Sequence, residues 1–210
     1  MKKFLIYLVL LLQTFFAAAA FAAPAIPPKP SASSGIYVQD YAGVIQPEDK
    51  QKILSIGQDL DNKTTAQVAV VTVKSLEGQP IDEYALSILR EWGIGTKGKD
   101  NGVLIVVATQ DRKSRIEVGY GLEGILPDGR TGRIQDKYMI PYFSKGDYST
   151  GILQGYLATS LTIAKSANVE LTGARYNGGT AQKQDSGFDL GNILLIAAIV
   201  IILIIDNVFL

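Results

Sequence analysis

The middle of the chain carries its clearest alternation of apolar and polar positions. An unbroken apolar run covers 103–108, and the segment 115–118 then alternates polar with apolar side chains. The run is typical of a strand buried on both faces, and the alternation is typical of a strand with one face toward water. A polar stretch separates them, so the pattern predicts an antiparallel hairpin with a turn of about three to five residues.

Two helix patterns and a second strand pattern precede this hairpin. Pro47, followed by two acidic residues, is typical of a helix start, and apolar residues then recur on one face to about residue 62. Segment 67–73 is rich in β-branched residues and predicts a buried strand, and 81–92 again has apolar residues at helical spacing. Strand, helix and strand in this order predict a parallel pair joined by a right-handed crossover.

The chain after the hairpin predicts two more helices. The first spans 131–143 and closes near Pro141, since proline lacks the amide hydrogen that a helix interior needs. The second follows the Gly146-Asp147 cap and continues to about residue 166 with a buried apolar face. The expected fold class is α/β, with a mixed central sheet that contains the hairpin.

Both ends of the chain lack this alternation. Two lysines, an apolar core and a small-x-small triplet indicate a secretory signal cleaved after Ala22, and the alternative is an uncleaved anchor. The apolar C-terminal stretch reaches a bilayer-spanning length when its polar ends are included, and it predicts a membrane anchor or, alternatively, a helix buried by a partner. The chain is therefore divided into a signal peptide 1–22, a Pro/Ser-rich extended tether 23–35, a domain 36–168, a polar linker 169–187 and a transmembrane helix 188–210.

Composition removes several classes of function. The chain has no Cys and no His, which excludes thiol nucleophiles, imidazole bases and the usual zinc sites. Any metal must be bound by oxygen, which favours calcium, magnesium or manganese. The formal net charge is zero and no basic stripe is visible, so nucleic acid is not an expected partner.

A glycine pattern, G-x-G-x-x-G, occupies 93–98. The dinucleotide fingerprint must follow a strand and open a helix, whereas this one follows a helix and precedes a strand. We therefore predict no nucleotide cofactor. Gly93 is expected to stop the helix, and Trp92 is expected to be a packing residue.

Three carboxylates flank the hairpin. Asp100 precedes its first strand, while Glu123 and Asp128 follow its second, so the hairpin predicts that the three lie at one edge. Clustered carboxylates repel one another unless a cation lies between them. A calcium-type site is one interpretation; the other is that these acids cap turns and face water.

The hairpin region resembles the TPM domain family. The resemblance rests on W-G-I-G at 92–95, K-D-N-G-V-L-I-V-V-A at 99–108 and R-I-E-V-G-Y-G-L-E-G at 115–124, with V-Q-D-Y-A around Asp40 and G-D-Y at 146–148 in support. It covers about 36–168, and the layout of the chain resembles the bacterial YgcG-like branch. The family implies a Rossmann-like three-layer α/β sandwich, binding of calcium or another divalent cation in some members, and a weak acid phosphatase activity in one. It also adds Asp40 to the expected metal ligands Asp100, Glu123 and Asp128.

Two functions are compatible with these sequence features. The first is a non-enzymatic module, anchored in a membrane on its extracytoplasmic side, that binds an envelope or membrane protein and a divalent cation. The second is a divalent-dependent acid phosphatase, for which Arg130 and Arg133 are candidate phosphate contacts although no nucleophile stands out.

Overall fold

The computed structural model describes residues 26–31 and 35–172. The elements in chain order are β1 (Val38–Asp40), α1 (Pro47–Thr64), β2 (Gln67–Val73), α2 (Ile81–Trp92), β3 (Gly102–Ala108), β4 (Lys113–Val118), a 3₁₀ turn (Tyr120–Leu122), α3 (Asp128–Ile134), a π-helical segment (Gln135–Met139), α4 (Ile140–Phe143) and α5 (Tyr148–Ser166).

The four strands form one mixed sheet in the order β1-β2-β3-β4. The first three strands are parallel, and β4 returns antiparallel to β3 through a turn of residues 109–112, which confirms the predicted hairpin. Every residue of β3 is buried, as its apolar run predicted. The sheet therefore has an amino edge, where β2 and β3 begin, and a carboxyl edge, where β1, β2 and β3 end.

Two separate apolar cores cover the two faces of the sheet. On one face α1 and α5 pack against residues such as Val70 and Ile105, and on the other α2 packs against residues such as Val71 and Val106. Both crossovers step in the same direction across the sheet, yet their helices lie on opposite faces. The parallel pairing of β2 and β3 is confirmed, but the two crossovers necessarily have opposite hands, so one of them departs from the usual right-handed rule.

The helix predicted over 131–143 is longer and less regular than expected. It begins at Asp128, passes through the π-helical segment and continues past Pro141 to Phe143. Proline has no amide hydrogen and its ring crowds the carbonyl four residues earlier. The wider π turn immediately before Pro141 accommodates both effects, so the proline interrupts the α-helical pattern without ending the helix.

Part of the predicted N-terminal tether belongs to the folded domain. Ile26 packs against the core on the α2 side, and the indole nitrogen of Trp92 donates to the Pro27 carbonyl at 3.0 Å. The expectation of a tether outside the core is therefore wrong for 26–31. The physical reason is that the buried indole N–H needs an acceptor, and this segment supplies it.

The start of the predicted C-terminal linker also packs on the domain. Val169 and Leu171 contact the core on the α1 side. The Asp59 carboxylate accepts the Thr172 amide at 2.7 Å, and the Lys63 ammonium donates to the Glu170 carbonyl at 2.7 Å. The described chain thus leaves the domain beside the end of α1, at the amino edge of the sheet.

The predicted signal peptide and the predicted anchor, 188–210, lie outside the described residues. Within 26–31 and 35–172, no helix combines the length and the apolar character needed to cross a membrane.

Candidate functional site

Two of the four predicted metal ligands meet at the amino edge. The Gly121 amide donates to the Asp100 carbonyl at 3.0 Å, which holds the 3₁₀ turn against the start of β3. Asp100 and Glu123 are exposed and line the same amino-edge cleft, with a volume of about 670 Å³. Arg90 and Lys97 line this cleft as well, so its charge is mixed rather than acidic.

Three glycines explain how the chain packs so tightly at this edge. A Cβ at Gly102 would lie 2.0 Å from the Ile94 carbonyl oxygen, and one at Gly121 would lie 2.0 Å from that of Lys99. At Gly119 it would lie 2.3 Å from the Asp100 carbonyl oxygen. Glycine at these three positions therefore allows the close approach of one loop to another.

Asp128 lies elsewhere, at the first position of α3, and does not line the amino-edge cleft. Its charge acts on Arg115 of β4. Burial lowers the pKa of Arg115, but the hydrogen bond and charge of Glu117, with the charges of Asp82 and Asp128, outweigh it and raise that pKa. Asp128 therefore contributes to the electrostatic environment of an arginine rather than to a carboxylate cluster with Asp100.

Asp40 lies at the opposite edge of the sheet from Asp100. It is the last residue of β1, whereas Asp100 precedes β3, and the two strands run in the same direction. A residue that ends one parallel strand and a residue that precedes another are a strand length apart. The structure therefore does not bring Asp40 and Asp100 together.

The carboxylate of Asp40 holds the loop that follows β1. Its oxygens accept the backbone amides of Gly43 at 3.0 Å, Val44 at 3.1 Å and Ile45 at 2.9 Å. The buried hydroxyl of Thr72 donates to it as well. Successive backbone amides that point at one anion form an anion-binding nest. Here the bound anion is the Asp40 carboxylate of the same chain.

Within 26–31 and 35–172, no group of three or more acidic, His or Cys side chains is placed to hold a metal ion. A hard divalent cation is coordinated by six or more oxygen atoms from carboxylates, carbonyls and waters, and the carboxylates supply the negative charge. The four predicted ligands, divided between two edges of the sheet, do not fit that requirement as one site.

A larger cleft lies at the carboxyl edge, beside the hairpin turn. This carboxyl-edge cleft has a volume of about 920 Å³. It is lined by Ile81, Val107, Arg112, Lys113, Ser114, Gly132, Gln135, Asp136, Ile140, Phe143, Ser144, Gly146 and Tyr148. The hairpin supplies two cations, and the π-helical segment supplies Gln135 and Asp136. Most of the apolar wall comes from α4 and the start of α5.

The polar groups of the carboxyl-edge cleft are largely committed to its construction. The Ser114 hydroxyl donates to the amide oxygen of Gln135 at 2.9 Å and so ties β4 to the π-helical segment. The Tyr148 hydroxyl donates to the Thr109 carbonyl at 3.2 Å and fixes α5 to the hairpin turn. An amide oxygen is too weak a base to activate Ser114 as a nucleophile.

Residues 38–160 match the model of the TPM domain. The chain belongs to the TPM domain family. A structure of the N-terminal domain of a P. gingivalis protein is 34% identical, with a TM-score of 0.61, and the match covers 66% of this chain and 88% of that one.

Two more distant structures share the fold of this TPM domain. The BA42 protein of Bizionia argentinensis is 19% identical, with 58% of this chain and 82% of that one covered and a TM-score of 0.50. The N-terminal domain of the cg2496 protein of Corynebacterium glutamicum is 17% identical, with 74% and 97% covered and a TM-score of 0.50. A comparison with curated proteins gives no match.

The carboxyl-edge cleft of this TPM domain was not predicted from the sequence. Ser114 and Gln135 are 21 positions apart, and the exposed Ile140 follows a π-helical segment that no local pattern announces. The signal that was available is Pro141, whose position inside a helical pattern indicates an irregular turn. Arg130 and Arg133, the predicted phosphate contacts, do not line this cleft, and Arg130 donates instead to the Ile125 carbonyl at 2.8 Å.

Proposed function

We propose that this chain is an exported, membrane-anchored TPM-domain module of the YgcG-like type, and that its carboxyl-edge cleft binds an envelope or membrane protein. The export signal and the apolar C-terminal segment support the extracytoplasmic location. A divalent cation, if this chain binds one, would be held by Asp100 and Glu123, which line the amino-edge cleft together, and not by Asp40, which lies at the opposite edge of the sheet.

The observation that carries the proposal is the pairing of exposed apolar surface with two cations in one cleft. Ile140 keeps 44% of its surface exposed beside the half-buried Phe143. Arg112 and Lys113 are exposed on the hairpin side, while Asp136 is the acidic residue of the lining. A partner segment that presents an apolar side chain next to a carboxylate matches this surface in both shape and charge.

Site-specific photocrosslinking in intact cells tests the proposal. A photoreactive phenylalanine analogue at position 140 should give a protein adduct, whereas the same analogue at position 120 should not. Tyr120 is the matched control because it is 80% exposed but lies in the amino-edge cleft. Combining position 140 with Arg112→Glu and Lys113→Glu should abolish the adduct, and the crosslinked peptide should contain an acidic residue near an apolar one. Equal adducts from both positions, or an adduct that survives the charge reversal, would contradict the proposal.

Phosphomonoester hydrolysis is the second candidate, favoured by one observation: Arg112, Lys113, Ser114 and Asp136 line the same cleft. Two cations can bind a phosphate, and a hydroxyl or carboxylate can attack it. The hydrogen bond from Ser114 to an amide oxygen argues against activation. Turnover of p-nitrophenyl phosphate by the purified full chain, lost in Ser114→Ala or Asp136→Asn but kept in Asp100→Asn, would favour this function over partner binding.

A further inference from the structure

Residues 26–31 have no regular secondary structure and pack against the end of α2. The Trp92 indole donates to the Pro27 carbonyl at 3.0 Å, and Ile26 packs against the α2-side core. The Lys29 ammonium lies over Gly93, 4.0 Å from where a Cβ would be. The chain reads Ile-Pro-Pro-Lys-Pro from 26 to 30, so three of these five residues are proline.

Burial varies along this segment. Ile26, Pro27 and Pro30 are half-buried, whereas Pro28 and Lys29 are exposed. A polyproline II helix has three residues per turn, so residues i and i+3 share a face. Pro27 and Pro30 have this i, i+3 spacing, which is the spacing that proline-rich ligands use in aromatic-lined grooves.

The groove has the chemistry that recognises such segments. Proline carbonyls are free to accept because a polyproline II helix has no internal hydrogen bonds, and an indole N–H is a fitting donor. The segment does not fill the available space. A cavity of about 890 Å³ adjoins it, with Pro30, Tyr37, Gln58 and Gly93 among its lining residues.

We propose that the groove beside Trp92 is a binding site for proline-rich segments, which residues 26–31 occupy in cis and which a proline-rich segment of a partner protein takes by displacing them. Three residues, 32–34, join the occupant to Gly35. A ligand held by so short a connection has an effective concentration on the order of millimolar. A competing segment is therefore effective when it is tethered nearby or makes more contacts than the short internal one.

The fluorescence of Trp92 provides a direct test, because the chain has one tryptophan. In a full-length variant with residues 26–30 replaced by Gly and Ser, we expect Trp92 emission to shift to longer wavelength and quenching by acrylamide to increase. A synthetic peptide of residues 25–31 should reverse both changes with a saturable dependence. The native chain should bind this peptide at least about tenfold more weakly, because its own segment competes.

Peptide variants separate the two faces of the segment. A peptide with Pro27→Ala and Pro30→Ala should lose binding, whereas one with Pro28→Ala should keep it, since Pro28 is exposed. Failure of the native-sequence peptide to restore emission at millimolar concentration, or equal binding to both chains, would overturn the proposal. A native dimer that the peptide dissociates would assign the groove to a second copy and overturn occupancy in cis.

A second measurement does not depend on the folding of the replaced variant. The chain has no cysteine, so Ile26→Cys introduces a single thiol into the otherwise native protein. Labelling of this half-buried thiol by a maleimide should be slow and should accelerate when the proline-rich peptide is added. The peptide with Pro27→Ala and Pro30→Ala should leave the rate unchanged. Labelling that is fast from the start, or equal acceleration by both peptides, would contradict the proposal.

Discussion

Replacing Asp40 tests whether this residue holds a loop or a metal ion. Its carboxylate accepts three backbone amides, from Gly43, Val44 and Ile45, and the hydroxyl of Thr72. In Asp40→Asn, one oxygen becomes an amide nitrogen that faces donors, and the charge is lost. The Ile45 amide is the donor most directly affected, because it is bound to the oxygen that the other donors do not use.

The expected loss follows from the strength of charge-assisted hydrogen bonds. A hydrogen bond to a charged group contributes about 1.5–3 kcal/mol, and neighbouring contributions are not additive. We therefore expect Asp40→Asn to lower the free energy of unfolding by about 2–3 kcal/mol. For a protein of this size the melting temperature should fall by roughly 6–9 °C. Asp40→Ala, which removes all four acceptor contacts, should lower it further.

The assay is denaturant unfolding of the full chain, followed by Trp92 fluorescence, in EDTA and again in millimolar calcium. The matched control is Asp100→Asn, since Asp100 is exposed at φ +48° and asparagine tolerates that left-handed backbone. The control should stay within about 0.5 kcal/mol of the native chain. A loss for Asp40→Asn below that value would refute the structural role. A lower free energy of unfolding in calcium but not in EDTA would indicate that Asp40 is a metal ligand.

Two further predictions concern the amino edge. Gly102→Ala should lower the free energy of unfolding by about 3 kcal/mol in urea titrations, because the new Cβ meets the Ile94 carbonyl and overpacking of fixed atoms is costly. Gly124→Ala is the control, because a Cβ there meets no atom within 4 Å. Equal stability of the two variants would refute the close-approach argument. Lys63 and Thr172 lower the pKa of the Asp59 carboxyl, so its stabilisation of the segment 169–172 should be present above the ordinary Asp pKa and lost as the pH falls through the lowered value. Hydrogen exchange of the Thr172 amide measures this, and exchange that is equally protected in Asp59→Asn would contradict it.

Most helices and strands of the fold could be predicted from local signals in the sequence. Pro47 with its two acids marked the start of α1, Gly93 ended α2 in the left-handed conformation, and the apolar run over 103–108 gave β3. Each of these depends on neighbours within a few residues, where propensity and capping act directly. Such signals do not encode the hand of a crossover, which is why the opposite hands of the two connections were not foreseen.

The candidate sites depend on contacts between distant residues, and these were harder to predict. The hairpin correctly brought Asp100 and Glu123 to one cleft, because antiparallel geometry fixes which ends meet. Asp40 was added to the predicted site by family resemblance alone. That resemblance did not take into account that β1 is parallel to β2, which puts Asp40 at the other edge of the sheet. The contact of Trp92 with Pro27 spans 65 positions, and no period in the sequence links the two residues.

The opposite hands of the two crossovers bear on where this sheet could accept a ligand. The connections that follow β1 and β2 leave the sheet toward opposite faces. In open α/β sheets, a crevice forms at the carboxyl ends of two neighbouring strands whose connections diverge in this way. Here the loop 41–45 folds over that position, with the Tyr41 amide on the Thr72 carbonyl and the Asp40 carboxylate inside. The loop therefore fills this crevice, and the Asp40 carboxylate takes the place of a bound anion.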